Sequence, residues 1–193
     1  MKIALLSNEQ NATGLQRVIE KYAAYLDCLY VFECEPVCPE NFGNYVLFHY
    51  GEKDAYCFLE DYNIMLVLVY GWNYLVPKGI VTSFPCFNLH PSLLPKYRGP
   101  DPVAAQLAHK EKRMGVTLHR MNERLDTGPI WRQKEVRVDP TQEKLVYLKI
   151  AGAACKLADA FFAALIETGS DVEGLVLFTQ NEEEASYFSY QNY

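Results

Sequence analysis

Short apolar runs, separated by polar or helix-periodic segments, recur along the whole chain. Runs of about four to eight apolar residues bounded by turn-forming residues are typical of strands in a parallel sheet covered on both faces. The most apolar run, IMLVLVYG at 64–71, predicts a central strand. The predicted strands are residues 2–6, 28–33, 46–50, 64–71, 86–90, 115–121, 129–138 and 174–178.

Apolar residues recur at helical spacing between these runs. In TGLQRVIEKYAAYL at 13–26, Thr13 is the predicted N-cap of the first helix. The other predicted helices are residues 54–62, 78–84, 101–112 and 141–166. Because strands and helices alternate in the first half, we predict an α/β fold: a Rossmann-like, mostly parallel sheet with helices on both faces. Ligands of such folds bind beyond the carboxyl ends of the strands.

Composition narrows the class of protein. Half of the 193 residues are apolar and the net charge is −6, which favours one well-packed domain and disfavours a nucleic-acid scaffold. No apolar run approaches the roughly 18 residues of a membrane span, and MKIALLSNEQ lacks the apolar core of a signal peptide. The six cysteines form no CxxC pair, and Cys34 and Cys38 have no partners at zinc spacing. We therefore expect a soluble cytoplasmic protein without a metal site.

Asn88 and His90 are the first candidates for chemistry. They lie two residues apart at the end of a predicted strand, so their side chains point to the same face. An amide that donates to an oxyanion beside an imidazole that handles protons is a usual arrangement for acyl transfer. Pro91, Pro95 and Pro100 stiffen the loop that follows. A purely structural Asn–His pair remains the alternative at this point.

Asp126 is the third candidate. It opens the tripeptide Asp-Thr-Gly just beyond the predicted strand 115–121, where the crevice of the sheet is expected. The alternative interpretation is a tight turn without chemistry.

These residues carry a resemblance to the formyltransferases that use 10-formyltetrahydrofolate. That family shows an N-x-H-x-S-L-L-P-x-x-R-G motif, then G-V-T, then D-x-G; the matching residues are 88–99, 115–117 and 126–128. The resemblance is closest over residues 64–135. It implies the formyltransferase fold, with a catalytic domain at 1–180 and a C-terminal tail at 181–193 that packs on the domain.

The resemblance also implies roles for the candidates. An amine would attack the formyl carbon on N10 of the folate, while Asn88 and His90 stabilise the tetrahedral oxyanion. Asp126 would orient His90 and help to take the proton from the amine. Because a nearby carboxylate favours the charged imidazole, we expect His90 to be positively charged.

A folate pocket lined largely by main-chain groups is implied as well. The predicted cofactor-binding residues are Val69, Tyr70, Gly71, Trp72, Leu93, Asn122, Glu123 and Leu125. Core packing remains the alternative for Tyr70 and Trp72. The resemblance further implies a cis peptide bond between Leu94 and Pro95, and we expect Arg98 to brace the loop.

The acceptor amine is the least defined component of the reaction that the resemblance implies. The predicted substrate-binding residues are Ser7, Asn8, Thr13 and Gly14, where Thr13 and Gly14 at a helix N-terminus would hold a phosphate. A plain helix start is the alternative. The first hypothesis for the acceptor is a nucleotide-linked amino sugar, and the second is a carrier-bound or free amino acid. Glycinamide ribonucleotide and methionyl-tRNA are the remaining acceptors in the family.

Two other classes stay open: a hydrolase of the same folate and a catalytically silent folate-binding domain. A small-molecule amine is the expected partner, rather than a membrane or a nucleic acid. A homodimer and a longer multidomain parent chain are both compatible with the sequence.

Overall fold

A seven-stranded sheet lies at the centre of the molecule. The computed structural model describes residues 1–33, 36–47 and 57–188, and within these ranges the strand order is β3-β2-β1-β4-β5-β6-β7. The strands are β1 Lys2–Ser7, β2 Asp27–Phe32, β3 Asn44–Leu47, β4 Leu66–Tyr70, β5 Cys86–His90, β6 Arg113–Arg120 and β7 Ile130–Arg137. The first five strands pair in parallel, whereas β5–β6 and β6–β7 are antiparallel.

Helices cover both faces of the sheet, as predicted. They are α1 Glu9–Lys21, α2 Cys57–Asp61, α3 Lys78–Ser83, α4 Pro102–Ala108 and α5 Glu143–Glu167. Alternate residues along β1 show the division: Ile3 and Leu5 pack with α1 and α5, whereas Ala4 and Leu6 pack with α2 and α3. This is the period-2 alternation of a strand whose two faces are both buried. None of the helices in the described ranges is long and apolar enough to cross a membrane.

The first helix begins earlier than predicted. Asn8 is the N-cap, and its side-chain oxygen accepts a hydrogen bond from the Asn11 amide at 2.9 Å. Thr13 is therefore in the helix interior, where its hydroxyl donates to the Glu9 carbonyl at 2.8 Å. The prediction of Thr13 as N-cap was wrong because Asn8, which caps a helix equally well, stands five residues closer to β1. The helix also ends sooner, at Lys21.

Other boundaries differ modestly. The predicted strand 174–178 is reduced to one antiparallel bridge, in which Phe178 and Ile130 exchange backbone hydrogen bonds of 2.7 and 2.8 Å. Helix α4 stops at Ala108 rather than 112. Residues 48–50 of the third predicted strand and 54–56 of the second predicted helix lie outside the described residues.

The strand order creates the crevice. β1 is flanked by β2 on one side and by β4 on the other, so the chain leaves the ends of β1 and β4 in opposite directions. A topological switch point of this kind is where open α/β sheets bind ligands. The loops that follow β1, β4, β5 and β6 all open onto it.

The middle of α5 anchors the antiparallel edge of the sheet. Phe161 is fully buried, and its ring lies 4.9 Å from Phe87 of β5 and 5.3 Å from Trp131 of β7, measured between ring centroids. Aromatic side chains in such contacts contribute both buried area and favourable edge-to-face geometry. Phe161 therefore couples the helix to β5 and β7.

We expect Phe161→Ala to lower the free energy of unfolding by about 3–5 kcal/mol, because it leaves a cavity that the surrounding rings cannot fill. Leu148→Ala on the same helix is the matched control, since Leu148 is 70% exposed, and its effect should stay within about 0.5 kcal/mol. Urea unfolding followed by circular dichroism measures both. Equal losses in the two variants would contradict this account of the core.

Candidate active site

Asn88 and His90 lie side by side at the end of β5. Phe87 and Leu89 point into the core against α5, so the intervening Asn88 and His90 point to the opposite face. The antiparallel partner strand β6 places His119 opposite Asn88 and Thr117 opposite His90. The two-residue spacing therefore brings the amide and the imidazole together, as the sequence predicts.

Asp126 completes the group from the loop between β6 and β7. One carboxylate oxygen, Oδ2, accepts a hydrogen bond from the Gly99 amide at 2.9 Å and lies 3.6 Å from His90 Nδ1. The other oxygen, Oδ1, lies 3.4 Å from Asn88 Nδ2 and 3.6 Å from His119 Nε2. The Asp126 side chain is only 6% exposed. A single buried carboxylate thus contacts or faces every other polar group of the site.

Close packing of the backbone requires a glycine at the third position of the Asp-Thr-Gly turn. A side chain at Gly128 would place its Cβ 1.7 Å from the carbonyl oxygen of Arg120, so only glycine fits there. Asp126 itself has a left-handed conformation, with φ of +51°. Asparagine and aspartate tolerate this region better than other non-glycine residues. The turn therefore serves to place the carboxylate.

The hydrogen bonds of His90 define which ring nitrogen carries the proton. Nε2 lies 2.8 Å from the carbonyl oxygen of Tyr97, which accepts only, so Nε2 is the donor. In the neutral ring Nδ1 then holds the lone pair, and it is the nitrogen that faces Asp126. The site presents a proton acceptor beside a carboxylate.

The charge expected for His90 was wrong. Burial lowers the pKa of His90 below its ordinary value of 6.5, although Asp126 and the Tyr97 carbonyl favour the charged ring. At neutral pH the imidazole is therefore uncharged. Proximity to a carboxylate alone suggested the opposite, because it ignores the loss of solvation that only the fold imposes.

Asp126 remains ionised. Burial by itself raises the pKa of this carboxyl, but His90, His119 and the Gly99 amide together outweigh it and hold the pKa well below its usual range. His90 contributes to this lowering only in its charged form, whereas the Gly99 amide donates to the carboxylate whatever the charge of the imidazole.

His119 is a site residue that the sequence analysis missed. Its ring is 1% exposed; Nδ1 lies 3.1 Å from the Arg120 carbonyl and Nε2 lies 3.6 Å from Asp126. The available signal was the alternation along 115–121, which places His119 on the same face as Thr117 and one position from the end of the strand. Histidine beside a buried carboxylate stabilises its anionic form.

The loop from Pro91 to Gly99 is held by the Gly-Val-Thr part of the motif. Thr117 accepts a hydrogen bond from the Leu94 amide at 3.0 Å and donates to the Ser92 carbonyl at 2.7 Å. The Leu94–Pro95 peptide bond is cis, which confirms the prediction. Arg98 braces the loop, also as predicted: it is fully buried and bonds to Gln180 and to residues beyond it.

A cleft of about 1550 Å³ surrounds these groups. One wall, which we call the α1–α5 wall, consists of Asn8, Gln10, Asn11, Lys144, Tyr147, Leu148, Ile150 and Ala151. The opposite wall, which we call the 72–125 wall, consists of residues 72–78, Val81 and residues 121–125. An ion pair of 2.9 Å between Lys78 and Glu123 links its two parts. Asn88, His90 and Asp126 line the same cleft.

Most predicted folate-contacting residues line this cleft. They are Val69, Tyr70, Gly71, Trp72, Asn122, Glu123 and Leu125. Tyr70 also packs in the core and is only 5% exposed, so it both lines the cleft and belongs to the core. The Asn122 carboxamide oxygen is already bonded to the Arg124 amide and the Thr127 hydroxyl, so this side chain shapes the loop.

Four predicted site residues lie elsewhere. Leu93 packs on β6, where its Cδ2 would lie 2.5 Å from a Cβ at Gly115, because the loop turns away from the cleft after Ser92. Ser7 is buried and donates its hydroxyl to the Tyr70 carbonyl at 2.6 Å, which ties β1 to β4. Thr13 and Gly14 are exposed in the interior of α1 and do not line the cleft. Asn8, the fourth residue of that predicted set, does line it.

The cleft has the size and character of a site for a large organic molecule. It combines main-chain groups after β4, apolar side chains such as Leu75 and Val76, and a few convergent polar groups, as small-molecule sites do. Among the described residues, no group of three or more histidine, cysteine, aspartate or glutamate side chains is arranged to hold a metal ion.

Comparisons with known proteins agree with this arrangement. The sequence model of the family described as formyl transferase matches residues 2–153. A methionyl-tRNA formyltransferase from Ehrlichia ruminantium is 31% identical over 131 residues, which is 67% of this chain and 41% of that protein. The chain thus spans about two fifths of the length of such curated relatives.

Solved structures share the fold. A sugar N-formyltransferase from a Shewanella species superposes with a TM-score of 0.77 at 22% identity, covering 100% of this chain and 78% of that one. The formyltransferase PseJ from Anoxybacillus kamchatkensis, solved with a UDP-linked formamido sugar and tetrahydrofolate, gives 0.72 at 24% identity, covering 100% of this chain and 87% of that one. With the family match over most of its length, the chain belongs to the formyl transferase family.

Proposed function

We propose that this protein transfers a formyl group from N10 of 10-formyltetrahydrofolate to a primary amine. The observation that carries the proposal is the buried Asp126 carboxylate with Asn88 Nδ2 at 3.4 Å and His90 Nδ1 at 3.6 Å, all facing one large cleft. Oxyanion donor, proton acceptor and orienting carboxylate are the three groups that acyl transfer between nitrogens requires.

His90 manages the proton in this mechanism. The amine nitrogen bonds to the formyl carbon, and His90 Nδ1 takes the proton that the amine loses, directly or through water. When the bond between the formyl carbon and N10 breaks, the same proton goes to N10, so the products are a formamide and tetrahydrofolate. Asp126 stabilises the imidazolium formed in between, since its carboxylate lies 3.6 Å away. A neutral resting His90 is the form that this sequence needs.

Asn88 stabilises the oxyanion. Its side-chain atom facing Asp126 must be the NH₂ group, because a carboxylate only accepts. One N–H points to Asp126, and the second is available for the formyl oxygen as it gains negative charge. A donor fixed in this way before the reaction contributes more than one that must reorient.

We assign the folate to the 72–125 wall and the acceptor to the α1–α5 wall. The 72–125 wall combines the main chain after β4 with apolar side chains, which suits a flat ring system. The α1–α5 wall contributes three carboxamides, Asn8, Gln10 and Asn11, together with Lys144 and Tyr147. Carboxamides both donate and accept, so they suit sugar hydroxyls, and a lysine suits a diphosphate.

These features favour a nucleotide-linked amino sugar as the acceptor. A glycinamide ribonucleotide is less favoured because of Glu9 in the first turn of α1. The Glu9 carboxylate accepts hydrogen bonds from the backbone amides of Val37 and Cys38. A carboxylate at this position disfavours a phosphate bound at the N-terminus of α1 itself, whereas Lys144, the residue suited to a diphosphate, lies in α5. A carrier-bound or free amino acid is the next acceptor class.

Methionyl-tRNA is the acceptor named for the curated relatives, and the 31% identity to one of them keeps it as a second candidate. Folate hydrolysis is a different activity that would use the same three side chains. A mass-spectrometric screen separates these functions: the protein is incubated with 10-formyltetrahydrofolate and one amine at a time.

In that screen we expect one amine to gain a single formyl group, with tetrahydrofolate released in equal amount. The panel contains UDP- and dTDP-linked amino sugars, amino acids, glycinamide ribonucleotide and methionyl-tRNA. Release of tetrahydrofolate without any amine would instead establish hydrolysis. If the protein neither bound nor consumed the folate, the proposed function would be wrong.

We expect Asn88→Ala, His90→Ala and Asp126→Ala each to lower kcat for formyl transfer at least about 10²-fold, because each removes a group that acts in the transition state. Thr13→Ala is the control: Thr13 is exposed and outside the cleft, so its kcat should stay within about twofold of wild type. Near-normal turnover by His90→Ala would refute the proton transfer described above.

The dependence on pH follows from the neutral resting state of His90. Because burial lowers the His90 pKa below 6.5, the acidic limb of kcat that reports His90 should lie below pH 6.5. In Asp126→Asn the pKa of His90 should fall further, since the attraction that favours the charged ring is lost, and the acidic limb should move to lower pH. Steady-state kinetics between pH 5 and 8 measure both. An acidic limb centred above pH 6.5 that moves in Asp126→Asn would contradict the assignment, whereas a limb that this substitution leaves in place reports the acceptor amine.

A further inference from the structure

The C-terminal residues 180–188, which we call the tail segment, pair with the backbone of Tyr97–Gly99. The Tyr97 amide donates to the Ser186 hydroxyl at 2.9 Å, and the Arg98 amide donates to the Ser186 carbonyl at 2.9 Å. The Phe188 amide in turn donates to the Arg98 carbonyl at 2.9 Å. The Phe188 ring stacks on the Tyr97 ring, with centroids 5.0 Å apart. The tail segment thus extends along residues 97–99 like a short added strand.

The other edge of residues 97–99 faces the active site. The Tyr97 carbonyl accepts the hydrogen bond from His90 Nε2 at 2.8 Å, and the Gly99 amide donates to Asp126 Oδ2 at 2.9 Å. Three consecutive residues therefore orient both the imidazole and the carboxylate. Their own position is set from behind by Ser186 and Phe188.

Gln180 makes a second connection. Its amide nitrogen donates to the carbonyls of Asp126 at 2.9 Å and Gly128 at 2.7 Å. Its amide oxygen accepts from Arg98 Nη2 at 2.7 Å. The fully buried Arg98 also pairs with Glu182 at 2.8 Å. Gln180 thus joins the Asp-Thr-Gly turn to the loop that carries Tyr97 and Gly99.

The backbone between these contacts is conformationally unfavourable. Tyr97, Gly99 and Asp126 have φ angles of +60°, +105° and +51°, all in the left-handed region. Residues other than glycine keep such conformations only where surrounding bonds hold them. A Cβ at Gly99 would lie 2.2 Å from the Phe188 carbonyl oxygen, so the loop and the tail segment are in close contact at this point.

We infer that the tail segment is a positioning element of the catalytic pair, with Gln180 and Ser186 as positioning residues that act through residues 97–99 and the Asp126 turn. The inference rests on the proposed function for its effect on turnover, but its effect on His90 is independent of any activity.

Few titratable or charged groups face His90 and Asp126 in the described part of the chain. His119 approaches Asp126 from β6, and the Tyr97 hydroxyl bonds to Glu111 at 2.7 Å and lies 3.1 Å from His109 on the far side of the loop. Arg98 and Glu182 neutralise each other behind it. Loosening the tail segment would thus act on His90 chiefly by freeing the Tyr97 carbonyl and admitting water.

The test compares Gln180→Ala and Ser186→Ala with wild type by ¹⁵N NMR of labelled histidines, which reports the tautomer and the pKa of each imidazole. The protein contains four histidines, and His90→Gln assigns the signal of interest. We expect the wild-type His90 to hold the Nε2–H tautomer. Both variants should show mixed tautomers at His90, and kcat should fall at least about tenfold with KM for the folate within about twofold.

Two controls separate positioning from general stability. Ser186→Thr keeps the hydroxyl and should restore the wild-type tautomer, and Glu183→Ala changes an exposed neighbour in the tail segment and should leave it unchanged. If Gln180→Ala and Ser186→Ala lowered the melting temperature but left the His90 tautomer, its pKa and the pH profile of kcat unaltered, the inference would be wrong. If the wild type transferred no formyl group, the proposed function would fail, while the histidine spectra would still decide the role of the tail segment.

Discussion

The site depends on burying one ionised carboxylate. Asp126 has almost no contact with solvent, so its charge depends on the Gly99 amide and Asn88, which donate to the carboxylate, while His90 and His119 face it at 3.6 Å. These groups come from three parts of the fold: Gly99 from the loop after β5, Asn88 and His90 from β5, and His119 from β6. The Asp126 carboxylate therefore holds these elements in one arrangement. The same arrangement orients the Asn88 carboxamide and the His90 imidazole toward the cleft.

The mixed sheet explains how these elements meet. The parallel half provides the switch point between β1 and β4, which opens the cleft. The antiparallel half returns the chain through β6 directly beside β5, which brings His119 and the Asp126 turn back to the end of the strand that carries Asn88 and His90. The connection from β5 to β6 already contains α4, so the antiparallel direction of β6, and not a short path, places His119 opposite Asn88.

Local sequence patterns predicted much of this correctly and failed for identifiable reasons. Strand β5, the spacing of Asn88 and His90, and the turn at Asp126 follow from side-chain alternation and from a motif whose residues are close in sequence. Thr13 was misassigned because two good N-capping residues compete in one polar stretch. Leu93 lies outside the cleft because the direction of a loop side chain depends on the strand that it packs against, here β6 at Gly115.

The sequence by itself determined the class of fold, the order of its elements and the three side chains at the centre of the site, since these depend on hydrophobic periodicity and on short motifs. The charge of His90, the part played by His119 and the contact between residues 97–99 and the C-terminal segment were decided only by the tertiary structure. Solvation and long-range pairing depend on which distant segments cover a group, and no local pattern encodes that burial.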